Sequence, residues 1–116
     1  MGYDRTLANR IREALSGQKN VREVTMFQGM CFMVDEKMCI CLRDDRLMCR
    51  IGPEKFDEAV ERNSTEPMIH GKRLMKGFVF VRPEGYRNKK DFEYWLNLCL
   101  DFNHKAKAAK SKIKKP

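Results

Sequence analysis

The sequence lacks the long apolar segments of a membrane protein. No uninterrupted apolar run exceeds five residues, as in Met30–Val34, whereas about 20 are needed to span a bilayer. The N-terminus already carries a charge at Asp4, which is not expected of a secretory signal. These features predict a cytoplasmic chain without membrane association.

Residues typical of a catalytic or cofactor site are also scarce. Of the two histidines, His104 precedes a run of lysines, where we expect it to be solvated, and His70 lies next to a glycine. A general base needs an orienting acid and a reacting group beside it, and neither is indicated near His70. The glycines are isolated, so no phosphate-binding loop is predicted. We expect a protein that is not an enzyme and has no cofactor.

The five cysteines form no Cys-x-x-Cys pair. Four of them lie in apolar strand patterns, which favours small buried side chains in a reducing compartment over a disulfide framework. Cys39 and Cys41 are expected on one face of a strand, a spacing that fits a tetrahedral zinc site badly. No metal site is therefore predicted.

The positive charge is concentrated at the C-terminus. The chain has a net charge of +8, and six lysines without an acid follow Phe102, which leaves +2 (8 − 6) for residues 1–101. We predict one domain over residues 1–104 and a flexible lysine-rich tail over 105–116. The tail is expected to be solvated; the alternative is weak, nonspecific nucleic-acid contact. Its lysines are Lys105, Lys107, Lys110, Lys112, Lys114 and Lys115.

Apolar periodicity and turn residues predict the order α-β-β-β-β-α-β(β)-α. Strands segregated from helices indicate an α+β fold, a two-layer domain with a mostly antiparallel sheet packed with three helices. The predicted elements are a helix at Asp4–Leu15, a meander of strands at Val21–Phe27, Met30–Val34, Lys37–Leu42 and Arg46–Ile51, a helix from Pro53 to about Asn63, a loop at Asn63–Pro67, strands at Lys72–Met75 and Gly77–Arg82, and a helix from about Lys89.

Both faces of the meander are predicted to be apolar. Two-residue turns at Asp35-Glu36 and Asp44-Asp45 would place Cys31 opposite Ile40, and Ile40 opposite Cys49. One face then carries Cys31, Met33, Met38, Ile40, Leu42, Leu47, Cys49 and Ile51. The other carries Met30, Phe32, Val34, Cys39, Cys41, Met48 and Arg50, with Arg43 near its edge.

Three helices cover one face of such a sheet well, which leaves two alternatives for the other. Either it is an exposed interaction patch, with a homodimer as the preferred form, or the C-terminal helix or the N-terminal segment crosses it. Arg50 and Lys76 interrupt apolar strand patterns, so each must reach solvent, pair with an acid or meet a ligand. The candidate partner-binding residues are Met30, Phe32, Cys39, Cys41, Met48, Arg50 and Lys76.

Four stretches resemble the N-terminal domain of the TfoX/Sxy competence regulator family: MFQGMCFMVDEKM (26–38), LMCRIGPEKF (47–56), EPMIHGKRLMKGFVFVRPEG (66–85) and the helix around Trp95. The resemblance implies a secretion-chaperone-like α+β domain in a bacterial cytoplasmic protein connected with competence genes and DNA uptake. Full-length regulators carry a second helical domain, whereas this sequence has a lysine tail there, so we expect a stand-alone N-terminal domain. The family supplies no agreed catalytic residues.

Three functional hypotheses follow. The favoured one is a non-enzymatic regulatory module that binds a protein partner, or a second copy, through the second sheet face. The second is a weakly nucleic-acid-associated accessory protein that acts through the tail. The third is a small-ligand binder near Arg50 and Lys76.

Overall fold

A computed structural model of the protein describes residues 3–26 and 29–106, in which three α-helices pack on a six-stranded sheet. The α+β fold is therefore confirmed. The elements are α1 (Arg5–Ala14), β1 (Val21–Met26), β2 (Gly29–Val34), β3 (Lys37–Arg43), β4 (Arg46–Arg50), α2 (Pro53–Val60), β5 (Thr65–His70), β6 (Arg73–Val81) and α3 (Lys89–Lys105), with a 3-10 turn at Pro83–Gly85 before α3.

The sheet order is β1-β2-β3-β4-β6-β5, and all neighbours are antiparallel. The chain leaves β4, forms α2, runs along the sheet edge as β5 and returns as β6 between β4 and β5. The predicted loop at Asn63–Pro67 is wrong, because β5 begins at Thr65. Pro67 argued against a strand, because proline has no N–H to donate to a neighbouring strand. It is tolerated in β5 because β5 is an edge strand.

Local signals explain where the helices begin. The Asp4 side chain accepts hydrogen bonds from the backbone N–H groups of Thr6 and Leu7 at the start of α1. Pro53 occupies the first turn of α2, where its missing N–H costs nothing. Asn88 accepts from the N–H of Asp91 and caps α3. Within the described residues, no helix is both long enough and apolar enough to cross a membrane.

All three helices bury their apolar sides against the same face of the sheet. Ile11 of α1, Phe56 of α2 and Trp95 of α3 belong to one core cluster with side chains of the strands. The indole Nε1 of Trp95 donates to the carbonyl oxygen of Gly85 at 3.1 Å. Asn103, only 1% exposed, donates to the carbonyl oxygen of Val34. The helices therefore lie on one side of the sheet, in a two-layer arrangement.

The predicted register is right for β3–β4 and wrong for most of β2–β3. Ile40 lies opposite Cys49, as expected. The two-residue turn at Asp35-Glu36 is also present, but the register shifts so that Cys31 faces Cys41 instead of Ile40. The residue left over is Cys39, which forms a β-bulge. An extra residue in β3 shifts the pairing of β2 by one position, and such a shift reverses which side chains share a face. The β2 side chains predicted for one face of the sheet therefore lie on the other.

Candidate functional site

The sheet face opposite the helices carries an apolar cluster of its own, built only from strand residues. We call this surface the second face. Its buried members are Cys31, Cys41, Met48 and Met68, and its partly buried members are Met38, Met75, Phe78 and Phe80. Four of these eight side chains are methionines, which adapt their shape to different contacting surfaces.

The centre of the second face is shielded by strand side chains rather than by a helix. No described residue of α3 or of the N-terminal segment belongs to its apolar cluster, so the alternative in which one of these segments crosses the face is wrong. The exposed interaction patch stays a prediction: Met48 at the centre of the face is only 3% exposed, but Ile69 beside the cavity described below is 61% exposed. Around this centre, a rim of half-buried phenylalanine, methionine and arginine side chains also meets solvent.

Three arginines stack on the phenylalanine rings of this rim. The guanidinium carbons of Arg43 and Arg46 lie 5.5 and 4.7 Å from the centroid of the Phe80 ring. Arg46 also approaches Glu66 at 3.7 Å, and Glu66 pairs with Arg82 as well. Arg43 takes part in none of the salt bridges formed among the described residues. The rim therefore carries several arginines, and the Glu66 carboxylate beside them is already paired.

Arg50 is the third of these arginines. It lies 6.0 Å from the Phe78 centroid and 5.3 Å from that of Phe102, and it donates to the carbonyl oxygen of Met38 at 3.3 Å. Burial lowers the pKa of Arg50 from its ordinary value, and the nearby Cys39 thiol acts in the opposite direction. No carboxylate in the described part of the chain forms a salt bridge with Arg50. Aromatic packing therefore accommodates this cation in an apolar strand.

Cys31 and Cys41 are joined by a disulfide bond between β2 and β3. The expectation of five unbonded cysteines is therefore wrong for this pair, because the bulge places the two side by side with Cα atoms 3.9 Å apart. Cys39, Cys49 and Cys99 are free and buried in the helix-side core. Burial raises the pKa of both Cys39 and Cys99, which suits inert core thiols.

A cavity of about 230 Å³ opens on the second face, between the end of β5 and the centre of the sheet. Its lining includes Cys41, Arg43, Met48, Met68, Ile69 and Phe80. His70, at the exposed end of β5, also borders it. A second, larger cavity of about 560 Å³ lies where α2 begins and α3 ends, beside Phe102 and away from the second face.

The structure separates the predicted partner-binding residues into two groups. Met30, Phe32 and Cys39 lie in the helix-side core at 7%, 0% and 1% exposure; their placement on the second face is wrong because the bulge exchanges the faces. Cys41 and Met48 do lie on the second face. Lys76 is exposed on β6, and neither it nor Arg50 lines the two cavities described above.

Sequence reasoning missed Phe78, Phe80 and Met68, which make up much of the second face. The signal for the two phenylalanines was present, since alternate residues of Phe78–Arg82 share one side of a strand. Their neighbours were not evident, because β6 returns between β4 and β5 and so places Phe80 opposite Met48. Of the predicted tail lysines, Lys105 ends α3, and Lys107, Lys110, Lys112, Lys114 and Lys115 lie outside the described residues.

One face covered by the three helices, and one arginine-rimmed face on which no described helix packs, define a two-layer α+β domain. The family model described as the TfoX N-terminal domain matches residues 13–103. The chain therefore belongs to the TfoX N-terminal domain family, as the sequence resemblance predicted. Comparisons with curated proteins and with solved structures found no match.

Proposed function

We propose that this chain is a non-enzymatic regulatory module that acts by binding a macromolecule through the second face. The family provides the regulatory part of the proposal, since the resemblance to TfoX implies a connection with competence genes. The observation that carries the binding part is the apolar cluster of methionine and phenylalanine side chains on a sheet face without a helix. An antiparallel sheet that faces water on one side usually carries polar residues there, so an apolar face on which no described helix packs favours contact with another molecule.

Site-specific photo-cross-linking in the organism that carries this gene tests the proposal. A photoreactive phenylalanine analogue replaces Phe80 in one strain and the exposed Asn97 of α3, on the helix side, in a matched control. The aromatic analogue is chosen because it retains much of the packing of the half-buried Phe80 ring. We expect a discrete cross-linked species from position 80 and none from position 97.

Transcript measurements complete this test. Deletion of the gene should change the transcripts of DNA-uptake genes, and the chain with the unmodified second face should restore them. Equal cross-linking at both positions, unchanged transcripts after deletion, or turnover of a metabolite by the purified chain would each contradict the proposal.

The other two hypotheses receive less support. Nucleic-acid contact through the tail stays a prediction, since most of its lysines lie outside the described residues; deleting residues 105–116 and comparing DNA retention at low salt tests it. A small-ligand site near Arg50 and Lys76 is not favoured, because Arg50 packs against two aromatic rings and lines neither described cavity.

A further inference from the structure

We propose that the second face docks an acidic protein segment that inserts one large apolar side chain into the 230 Å³ cavity and places carboxylates against the arginine rim. The inference rests on the proposed function and names the chemistry of the partner. Three observations carry it: the size and lining of the cavity, the charge around it, and the occupancy of the ring faces.

The cavity has the size and lining of an anchor site. Pockets for small molecules usually measure roughly 300–1,000 Å³, and this one is smaller at about 230 Å³. Its walls are mostly thioether, aromatic and aliphatic groups such as Met48, Met68 and Phe80. Such walls accept a leucine, methionine or phenylalanine side chain, and a buried apolar anchor in a pocket is typical of protein interfaces.

The charge around the cavity selects an acidic partner. Arg43 lines the cavity and forms no salt bridge within residues 3–26 and 29–106, and Arg46 and Arg82 share the single carboxylate of Glu66. Arg50 lies on the same strand face as Arg46, four residues further along β4. Carboxylates of a partner would therefore meet several guanidinium groups at the rim, where Arg–carboxylate pairs form bidentate bonds.

The same charge disfavours two occupants from the protein itself. A symmetric dimer through this face would set the arginine rim of one copy against that of the other, and like charges across an interface are repulsive. The tail is unsuitable for the same reason, since residues 105–116 contain six lysines and no acid.

A single-stranded nucleic acid would also satisfy the arginines, but the rings do not suit it. Base recognition on a sheet uses aromatic faces that are free to stack. The Phe80 ring already carries two guanidinium groups, at 4.7 and 5.5 Å. Apart from Arg43 and His70, the side chains lining the cavity have no nitrogen or oxygen with which to read a base. An acidic peptide needs neither free rings nor such groups.

Selection from a phage library of random 12-residue peptides tests the inference on the full chain. Peptides retained by the wild-type chain should carry a net negative charge and at least one large apolar residue. In fluorescence polarisation, one such peptide should bind about tenfold more weakly to Arg43→Glu and lose affinity as salt is raised. Replacing its apolar residue by serine should abolish binding.

Control variants separate local effects from misfolding. Lys90→Glu makes the same type of charge change on α3 and should leave the affinity unchanged. Ile69→Ser shortens an exposed apolar residue that lines the cavity and should weaken binding without unfolding the chain. Tighter binding of a fifteen-residue oligo-dT than of the selected peptide, binding indifferent to Arg43→Glu, concentration-dependent dimerisation through this face, or no selected peptides would each overturn the inference.

The two proposals fail differently. Cross-linking from position 80 in cells together with failed peptide selection would remove the acidic segment and leave a regulatory module with another kind of partner. Absence of that cross-link would remove both.

Discussion

Cys31 lies directly opposite Cys41 in the β2–β3 ladder and is bonded to it, with the two Cα atoms 3.9 Å apart. This pairing exists because Cys39 bulges out of β3 and advances the register by one residue. The bulge places Cys39 in the helix-side core and Cys41 on the second face. A single inserted residue thus decides which methionines and cysteines of the meander lie on each face, and places Phe32 in the helix-side core.

The disulfide predicts a count of reactive thiols. If the chain is purified without reductant, unfolded and alkylated with iodoacetamide, three of the five cysteines should react, because Cys39, Cys49 and Cys99 are free. All five should react after reduction. Mass spectrometry gives the count directly. The Cys31→Ser variant releases Cys41 and should show four modified thiols without reductant; five in the wild-type chain would contradict the pairing.

Gly29 is expected to be irreplaceable by alanine. A Cβ atom there would lie 2.0 Å from the carbonyl oxygen of Leu42, and a backbone atom held in the β2–β3 ladder cannot move aside cheaply. Gly29→Ala should cost about 1–3 kcal/mol of unfolding free energy, measured by urea denaturation. Gly17→Ala is the control: nothing lies within 4 Å of its added Cβ, so its effect should stay within about 0.5 kcal/mol.

Tyr86 should make stability fall in alkaline solution. Burial, together with the carboxylates of Asp45 and Asp4, raises the pKa of Tyr86 from 10.0 to about 12, against the opposing effect of Arg10. The unfolded chain ionises this phenol near pH 10. The folded state favours the neutral form, so its contribution is complete below pH 10 and is lost as the pH rises towards 12.

The hydroxyl of Tyr86 donates to the carbonyl oxygen of Asp45, and Tyr86→Phe removes both this bond and the titration. The difference in absorbance at 295 nm between the two chains should follow a midpoint of about 12. The slope of unfolding free energy between pH 10 and 12 should be shallower in the variant. A midpoint at or below 10 would show that the phenol is not shielded.

Asn103 should not tolerate a change to aspartate. Its side-chain nitrogen donates to the carbonyl oxygen of Val34, and its Oδ1 is buried without a partner. Asn103→Asp replaces the donor by a negative charge that faces a carbonyl oxygen, which should cost about 3 kcal/mol at pH 7. Asn97→Asp makes the same chemical change at an exposed position of α3 and should be nearly neutral. Equal effects in the two variants would show that Asn103 is not buried.

Much of the fold was predictable because its signals are local. The N-cap at Asp4, the proline that opens α2 and the short acidic turns of the meander each act within a few residues of chain. They placed the first helix, four strands and the start of the second helix close to their observed bounds. The loop predicted across Asn63–Pro67 failed because proline normally argues against a strand, and the edge position that excuses it depends on the order of the sheet.

The candidate site was less predictable. Cys41 and Met48 were correctly assigned to the second face, but Met30, Phe32 and Cys39 were not, since a bulge has no distinct signature in the continuous apolar run of β3. The cavity combines β3, β4, β5 and β6, and no local pattern states that β6 returns between β4 and β5.

The order of residues was enough to specify the antiparallel meander and the helix starts, because turn geometry, capping and alternation are short-range interactions. It was also enough to indicate the family, through the four stretches that resemble it. Long-range packing settled which side chains share a face, which cysteines meet and where the arginines lie. The physical reason is that strand register and neighbour choice depend on contacts between residues far apart in the chain. A shift of one residue in strand register changes few local interactions, yet it turns every following side chain to the opposite face of the sheet.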